Sequence, residues 1–407
     1  RLIGFSKTQG FLASPYMHAA MRRDCVHPDT KLFFYNETTK EIFYSKIGEY
    51  IENLLKKGVK TKQIDSYGTL SVENKENLYA LGIDPETHEL KRKKIKYFVK
   101  GPKTHEWVKV KTATNREYVM TPTHKFMYLD EGRFKFKDAR EAKADDKIPV
   151  LEKFNFYIEK KDINLFTIFN SLSDVEKKAI FVEYNSKEEE LREFYKKYTL
   201  EELEVISTKA RFRWKFSKHS FSARLPISNE LMRVLGYYSS EGYSRTNKWV
   251  SQVSFRICER AMQEDLIDSI KKAFNIDASK GEDNTKITIC SKIVYYLFKC
   301  LGAGEGAYEK RVPSFIFGLN KELTGQYLSA FFDGDGSIIN NKKIVFYSVS
   351  RSLLDDVALL LTKFGVIGRY FRTGYRLPGK RVLERYKSLH KEPKKHILHH
   401  LSFSSSD

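Results

Sequence analysis

The chain has 407 residues and a formal charge of +20, from 72 Lys and Arg against 52 Asp and Glu, and at roughly 150 residues per domain it suits two to three domains. With 41% hydrophobic and 14% aromatic residues, wholesale disorder is excluded, and no apolar run approaches the ~20 residues of a membrane helix. Four cysteines without a C-x-x-C pair argue against a disulfide framework or a zinc ribbon, while the basic excess points to nucleic acid as the default polyanion.

The sequence opens on Arg1-Leu2-Ile3-Gly4, with neither an initiator Met nor a signal pattern, so it reads as a piece of a longer cytoplasmic protein. Residues 8–24 hold few strand formers and end in the basic pair Arg22-Arg23 before Asp24. From Cys25 to about Val150, short β-branched and aromatic runs (31–35, 41–44, 77–83, 94–99, 106–112, 117–120, 125–129) predict an all-β unit. Residues 84–88 and 130–132 read as its hairpin turns. Residues 151–207 turn helical, with Val175, Ala179 and Val182 at helical spacing. The segment 209–224 then alternates basic and aromatic residues: Arg211, Arg213 and Lys215 between Phe212, Trp214 and Phe216, followed by Lys218 and Arg224. One strand face becomes cationic and the other aromatic, which suits a nucleic-acid backbone as well as a solvated amphipathic strand. DNA recognition is the reading adopted for these five cations.

Residues 227–407 repeat themselves. Helix 230–241, strand 250–257, helix 260–274, strand 286–290 and helix 293–301 are answered by helix 321–335, strand 344–349, helix 352–364 and strands 368–376 and 397–403. The two initiating helices end alike, in Val234-Leu235-Gly236-Tyr237-Tyr238-Ser239-Ser240-Glu241-Gly242 and Leu328-Ser329-Ala330-Phe331-Phe332-Asp333-Gly334-Asp335-Gly336. Gly236 with Ser240, and Ala330 with Gly334, make smooth stripes along which two backbones can approach. Each helix then delivers one carboxylate, Glu241 or Asp335, before a Gly that can end it. Two acids brought together in a basic protein suit Mg²⁺ among phosphodiester oxygens.

These nine-residue blocks resemble the two LAGLIDADG motifs of homing endonucleases, with Glu241 and Asp335 at the metal-binding position. The resemblance implies an α+β pseudo-dimeric nuclease over 227–407, monomeric, Mg²⁺-dependent and directed at double-stranded DNA. Lys310-Arg311-Val312-Pro313-Ser314-Phe315-Ile316 resembles the segment before the second motif in intein-borne members. It aligns Lys310 with a family active-site lysine, whose charge could stabilise phosphate or help activate water.

Cys25-Val26-His27-Pro28-Asp29-Thr30, with Val119-Met120-Thr121-Pro122-Thr123-His124 and Ala144-Asp145-Asp146-Lys147-Ile148-Pro149-Val150, resembles the N-terminal splicing blocks of inteins. This implies an incomplete Hint-type splicing half over 25–150. Cys25 attacks the Asp24 carbonyl as thiolate, Thr121 holds the scissile carbonyl or amide, and His124 protonates the leaving nitrogen. His27-Pro28 stands where Pro-Gly usually precedes Asp-Thr. The flank 16–25 resembles the archaeal family-D DNA polymerase large subunit at an insertion site, with Asp24 where Asn is expected. Inteins end in His-Asn before Cys, Ser or Thr. Here the sequence stops at His399-His400-Leu401-Ser402-Phe403-Ser404-Ser405-Ser406-Asp407, so a C-terminally truncated or degenerate copy is expected, its last nuclease helix due near Ser406.

The expectation is thus a host segment (1–24), a splicing half (25–150), a helical and basic connector (151–226) and a nuclease (227–407). A downstream intein or polymerase segment and the polymerase small subunit are the implied protein partners. The competing readings are an inactive DNA-binding relic and a polymerase fragment in its own right; the second lacks the acidic motif that should follow Arg23.

Overall fold

The chain divides into two units, residues 1–151 and 152–407, in a computed structural model that describes residues 25–38, 41–84, 87, 89–102, 106–151, 154, 157–247, 251–282, 284–376 and 396–404. Arg22, Arg23, Asp24 and the helix expected near Ser406 lie outside these residues.

Unit 1 begins with β1 (Lys31–Asn36), β2 (Glu41–Lys46), helix α1 (Ile47–Lys56), β3 (Thr61–Gln63) and β4 (Leu70–Glu73). It continues with β5 (Leu78–Ile83), β6 (Leu90–Lys94), β7 (Tyr97–Lys100), β8 (Val108–Lys111), β9 (Glu117–Met120), β10 (Lys125–Asp130) and β11 (Arg133–Asp138). The strands make a four-stranded sheet β2-β1-β5-β6, a three-stranded sheet β3-β4-β7 and the hairpins β8-β9 and β10-β11. The turn between β10 and β11 has two residues, Glu131 and Gly132, both at positive φ (49° and 76°), the geometry a tight hairpin requires.

The all-β expectation misses α1. Ile47, Tyr50, Ile51, Leu54 and Leu55 recur at helical spacing, and the helix buries Ile51 and Leu54 against Phe34, Val72, Leu78 and Phe98. Its entry is tight. A Cβ on Gly48 would stand 2.4 Å from that of Pro28, and Gly48 N–H donates to Pro28 O at 2.9 Å. The expected strand 94–99 is really two strands, β6 and β7, parted at Ile95-Lys96.

Unit 2 opens with β12 (Asp162–Asn164), α2 (Leu165–Phe169), α3 (Asp174–Lys178), β13 (Ile180–Tyr184), β14 (Lys187–Glu190), α4 (Leu191–Lys197) and α5 (Leu200–Ile206). Three strands follow: β15 (Arg211–Trp214), β16 (Ser220–Ser222) and β17 (Arg224–Pro226). The connector is therefore mixed rather than helical. The helix read from Val175 to Val182 stops after one short turn, because Ile180-Phe181-Val182 is β-branched and aromatic and pairs with β15 in the sheet β14-β13-β15-β16.

The rest comprises two runs with the same plan. The first is α6 (Asn229–Glu241), β18 (Gly242–Thr246), β19 (Ser251–Arg256), α7 (Arg260–Phe274), β20 (Ser279–Lys280), β21 (Lys286–Ile289) and α8 (Lys292–Cys300). The second is α9 (Lys321–Asp335), β22 (Gly336–Ile339), β23 (Lys343–Ser348), α10 (Arg351–Leu361), β24 (Arg369–Arg376) and β25 (His396–Ser404). Their sheets are ordered β18-β19-β21-β20 and β22-β23-β25-β24, and in each the strand after the acidic helix sits at one edge. The short strands β18, β20 and β22 are additions to the sequence reading.

Candidate functional site

Helices α6 and α9 meet along the small-residue stripes. A Cβ added to Gly236 would lie 2.4 Å from Tyr327 O and 2.8 Å from Ala330 Cβ; one on Gly334 would lie 2.3 Å from Ser240 Oγ. Only hydrogen fits at either crossing point. Around this seam, Leu235, Tyr237, Tyr238, Tyr327, Ala330 and Phe331 are buried, and Ser239 Oγ shares a 2.7 Å hydrogen bond with Tyr327 OH across the pair. Arg233 ties the upper end together, donating to Asp265 of α7 at 2.7 Å and to Asp333 of α9 at 3.4 Å.

The glycines after the acids act differently from the sequence expectation. Gly242 and Gly336 have extended backbones (φ −87° and −96°), so neither terminates its helix by a left-handed turn. Each makes room instead for the aromatic ring four residues earlier. A Cβ would meet the Tyr238 ring at 2.4 Å or the Phe332 ring at 2.1 Å. The two motifs thus turn straight from helix into edge strand, with the acid as the last helical residue.

Glu241 and Asp335 end the paired helices in one desolvated corner. Burial first, and the neighbouring Asp335 charge second, push the Glu241 carboxyl up to about 7. Burial pushes Asp335 up to about 6, against the pull of Lys310. Lys310 is the third member. It is 4% exposed, its Nζ donates to Ser240 O at 2.7 Å, and its ammonium lies over the Tyr238 ring at 5.8 Å. Burial holds its amine down at about 8 while both acids pull the other way. This burial sets Lys310 apart from a solvated loop lysine.

Two hard carboxylate oxygen donors with like charge and little solvent suit a divalent cation that takes its remaining ligands from water or phosphate. Among the described residues, no group of three or more His, Cys, Asp or Glu could enclose a metal.

The second cluster is in unit 1. Val26 bridges Met120 at the end of β9, which brings Cys25 beside Thr121. Cys25 N–H donates to Thr121 Oγ1 at 2.8 Å, and Cys25 O accepts from Thr121 N–H at 2.9 Å and Oγ1 at 3.2 Å. Thr121 Oγ1 therefore accepts from the amide nitrogen of Cys25. His124 is held just beyond, its N–H on Thr121 O at 3.0 Å and its carbonyl accepting from Ala139 at 2.9 Å. Gly101, which the sequence did not single out, walls the thiol: a Cβ there would be 3.1 Å from Cys25 Sγ. His27, the departure from the usual turn, packs edge-on against Trp107 at 4.9 Å and still accepts Thr30 N–H at 2.8 Å. The turn survives the substitution.

The basic strand is only partly available for nucleic acid. Arg213 is spent on Glu188 (2.7 Å) and on the carbonyls of Trp214, Lys215 and Ser217. Arg224 is clasped by Asp162 at 3.0 Å and by Glu204. Each of these two arginines thus already pairs with a carboxylate of its own fold. Arg211 donates to Ser220, and Lys215 lies over the exposed ring of Phe216 at 5.7 Å, with Lys218 following in the β15–β16 turn.

Residues 322–402 match the LAGLIDADG-like domain family. The chain is 30% identical over 396 residues to the DNA polymerase II large subunit of Thermococcus kodakarensis, covering 91% of this chain and 21% of that protein. It is also 26% identical over 408 residues to the glutamine–fructose-6-phosphate aminotransferase of Methanocaldococcus jannaschii, covering 90% of this chain and 33% of that protein. The chain thus spans a fifth to a third of these relatives. Two enzymes of unrelated chemistry each match about nine-tenths of it. Among solved structures, the PabCDC21-1 intein is 23% identical, covering 30% of this chain and 70% of that one at a TM-score of 0.27.

Proposed function

We propose that the chain is an intein carrying a LAGLIDADG endonuclease domain, of the kind inserted in archaeal DNA polymerase II large subunits, with two activities: site-specific, Mg²⁺-dependent double-strand DNA cleavage by unit 2 and the first acyl shift of protein splicing by unit 1. The observation that carries the first is the desolvated cluster of half-buried Glu241 and Asp335 with buried Lys310 at the foot of the α6–α9 pair. The two runs of unit 2 form a pseudo-dimer that supplies one acid to each strand's reaction, so one chain suffices for a double-strand cut.

Glu241 and Asp335 would hold a divalent cation, which would supply Lewis-acid polarisation of the phosphate and help activate water. The chain's own residues do the rest. Lys310 offers positive charge beside the acids, in a site dry enough to strengthen it against charge developing on the phosphate. The basic surface supplies affinity for the DNA backbone.

In unit 1 the Cys25 thiolate attacks the Asp24 carbonyl carbon, a C–S bond forms, the C–N bond to Cys25 breaks and the nitrogen takes up a proton. Thr121 Oγ1, already accepting from that N–H, steers the nitrogen out of amide planarity, and His124 supplies the proton.

Incubation with a DNA carrying the uninterrupted polymerase gene tests the cleavage reading. With Mg²⁺, the wild-type chain linearises that DNA at the insertion site and leaves the interrupted gene intact. Equal cutting of both, or none of either, contradicts it.

A further inference from the structure

Lys310 is not held by its own loop alone. Its carbonyl accepts a hydrogen bond from Ser350 Oγ at 2.9 Å, and Ser350 also caps the first turn of α10. The next two residues are fastened to the same helix. Asp356, fully buried one turn further along, takes Arg311 Nε at 2.6 Å, Arg311 NH2 at 3.3 Å and Val312 N–H at 3.3 Å. On the other side, Arg311 N–H donates to Ala303 O at 3.3 Å, and Gly304 (φ +80°) packs so closely on the Glu309 carbonyl that a Cβ would come within 2.3 Å. The Lys310 backbone is thus pinned from α10, and its ammonium reaches away from the pin to Ser240 O.

We infer that Asp356 and Ser350 are positioning residues that fix the Lys310 ammonium beside Glu241 and Asp335, an inference that rests on the nuclease reading of that acid pair. A flexible lysine side chain left to itself seeks water, because burying an ammonium is costly. The ionic clamp at Arg311 and the hydroxyl clamp at Lys310 O remove the backbone freedom that would let it escape. A buried carboxylate that serves only to stabilise the fold has no need to grip the residues adjoining an active-site cation.

The test uses the full chain with Asp356→Asn and, as a milder change, Ser350→Ala. Amine acylation followed by mass spectrometry, without metal or DNA, reads the exposure of each lysine. Lys363 is the internal control, since it is also buried and its Nζ donates to Leu319 O at 2.5 Å at the far end of α10. In the wild type both lysines resist labelling. In Asp356→Asn, Lys310 should label about tenfold faster while Lys363 stays protected, with Ser350→Ala in between. Unchanged protection of Lys310, or parallel exposure of Lys310 and Lys363, overturns the inference.

A cutting assay supplies the second arm. Asp356→Asn should slow cleavage roughly 10- to 100-fold at unchanged DNA affinity, and have little further effect in a Lys310→Met background. Additive losses in the double variant would also overturn the inference. A wild type that does not cut would remove the nuclease reading, while the labelling result still decides the positioning.

Discussion

The two candidate sites are built on opposite physical terms. The acyl-shift site of unit 1 is made by hydrogen bonds between strand ends, at a cysteine and a histidine that are only half-buried, and its geometry is that of the backbone. The acid pair of unit 2 is made by close packing and desolvation, with every group displaced from its ordinary proton affinity. A site of the first kind should fail when one polar contact is lost. A site of the second kind should fail when volume or charge is altered, even without loss of a hydrogen bond.

The largest effect that separates them is at Cys25. Dithiothreitol should release a peptide ending at Asp24, mass spectrometry should detect it, and Cys25→Ala should abolish release. Thr121→Val, nearly isosteric but without the hydroxyl, should slow it about tenfold or more. Release that survives Cys25→Ala would break the acyl-shift half of the comparison.

Packing variants come next. Gly236→Val should destabilise unit 2 by about 1–3 kcal/mol or more in denaturant titrations, because its side chain overlaps Tyr327 O and Ala330 Cβ. Gly325→Ala, on the same α9 but with only a 3.9 Å neighbour, should be neutral or slightly stabilising. Equal effects at both positions would remove the claim that the seam tolerates hydrogen alone.

A pH series sharpens the electrostatic side. Glu241 and Asp335 have raised folded pKa values, so their share of metal-free stability is fully present below their unfolded range near 4 and is lost as pH rises through about 6 to 7. Lys310 is depressed to about 8, so its share is lost as pH falls from about 10 through 8. The metal-free protein should therefore melt several degrees lower at pH 7.5 than at pH 5, and Glu241→Gln should flatten that fall. A melting temperature that rises over this window in the wild type and not in the variant would contradict the assigned burial.

The smallest effect concerns the β15–β16 turn. Removing Lys215 and Lys218 together should make the salt dependence of DNA binding shallower by about 2 in log–log slope, whereas Arg213→Gln should change folding stability more than the slope. An unchanged slope would return this turn to an ordinary solvated surface.

Much of unit 2 was legible because its signals are local. Apolar helices with small residues four apart, each ending in an acid and a glycine, announce a close helix pair without any distant partner. The helices at 260–274 and 321–335 fell where the periodicity put them. What escaped is non-local. Asp356 is one of two adjacent aspartates; Asp355 pairs with Arg351 four residues away, while Asp356 is buried against Arg311, 45 residues away, and nothing in the local pattern tells them apart. Gly101 matters only because the fold brings Cys25 against it. Helix α1 hid within strand-forming residues, since Ile42-Phe43-Tyr44 runs into Ile47 with no Gly or Pro between. The basic strand is the reverse case. Its alternation was real, but the carboxylates of Glu188, Glu204 and Asp162 that claim two of its arginines come from other elements.

The central claim is that Glu241 and Asp335 act as a pair, each required for a double-strand cut. Strand-resolved cleavage of an end-labelled duplex containing the uninterrupted site tests it most directly, comparing wild type, Glu241→Gln and Asp335→Asn at matched DNA occupancy. Wild type should cut both strands with Mg²⁺ and neither in chelator, and each variant should bind DNA normally while losing the double-strand product by at least about a hundredfold. A variant that still makes double-strand breaks at the wild-type rate, or a wild type that cuts in chelator, would contradict the account.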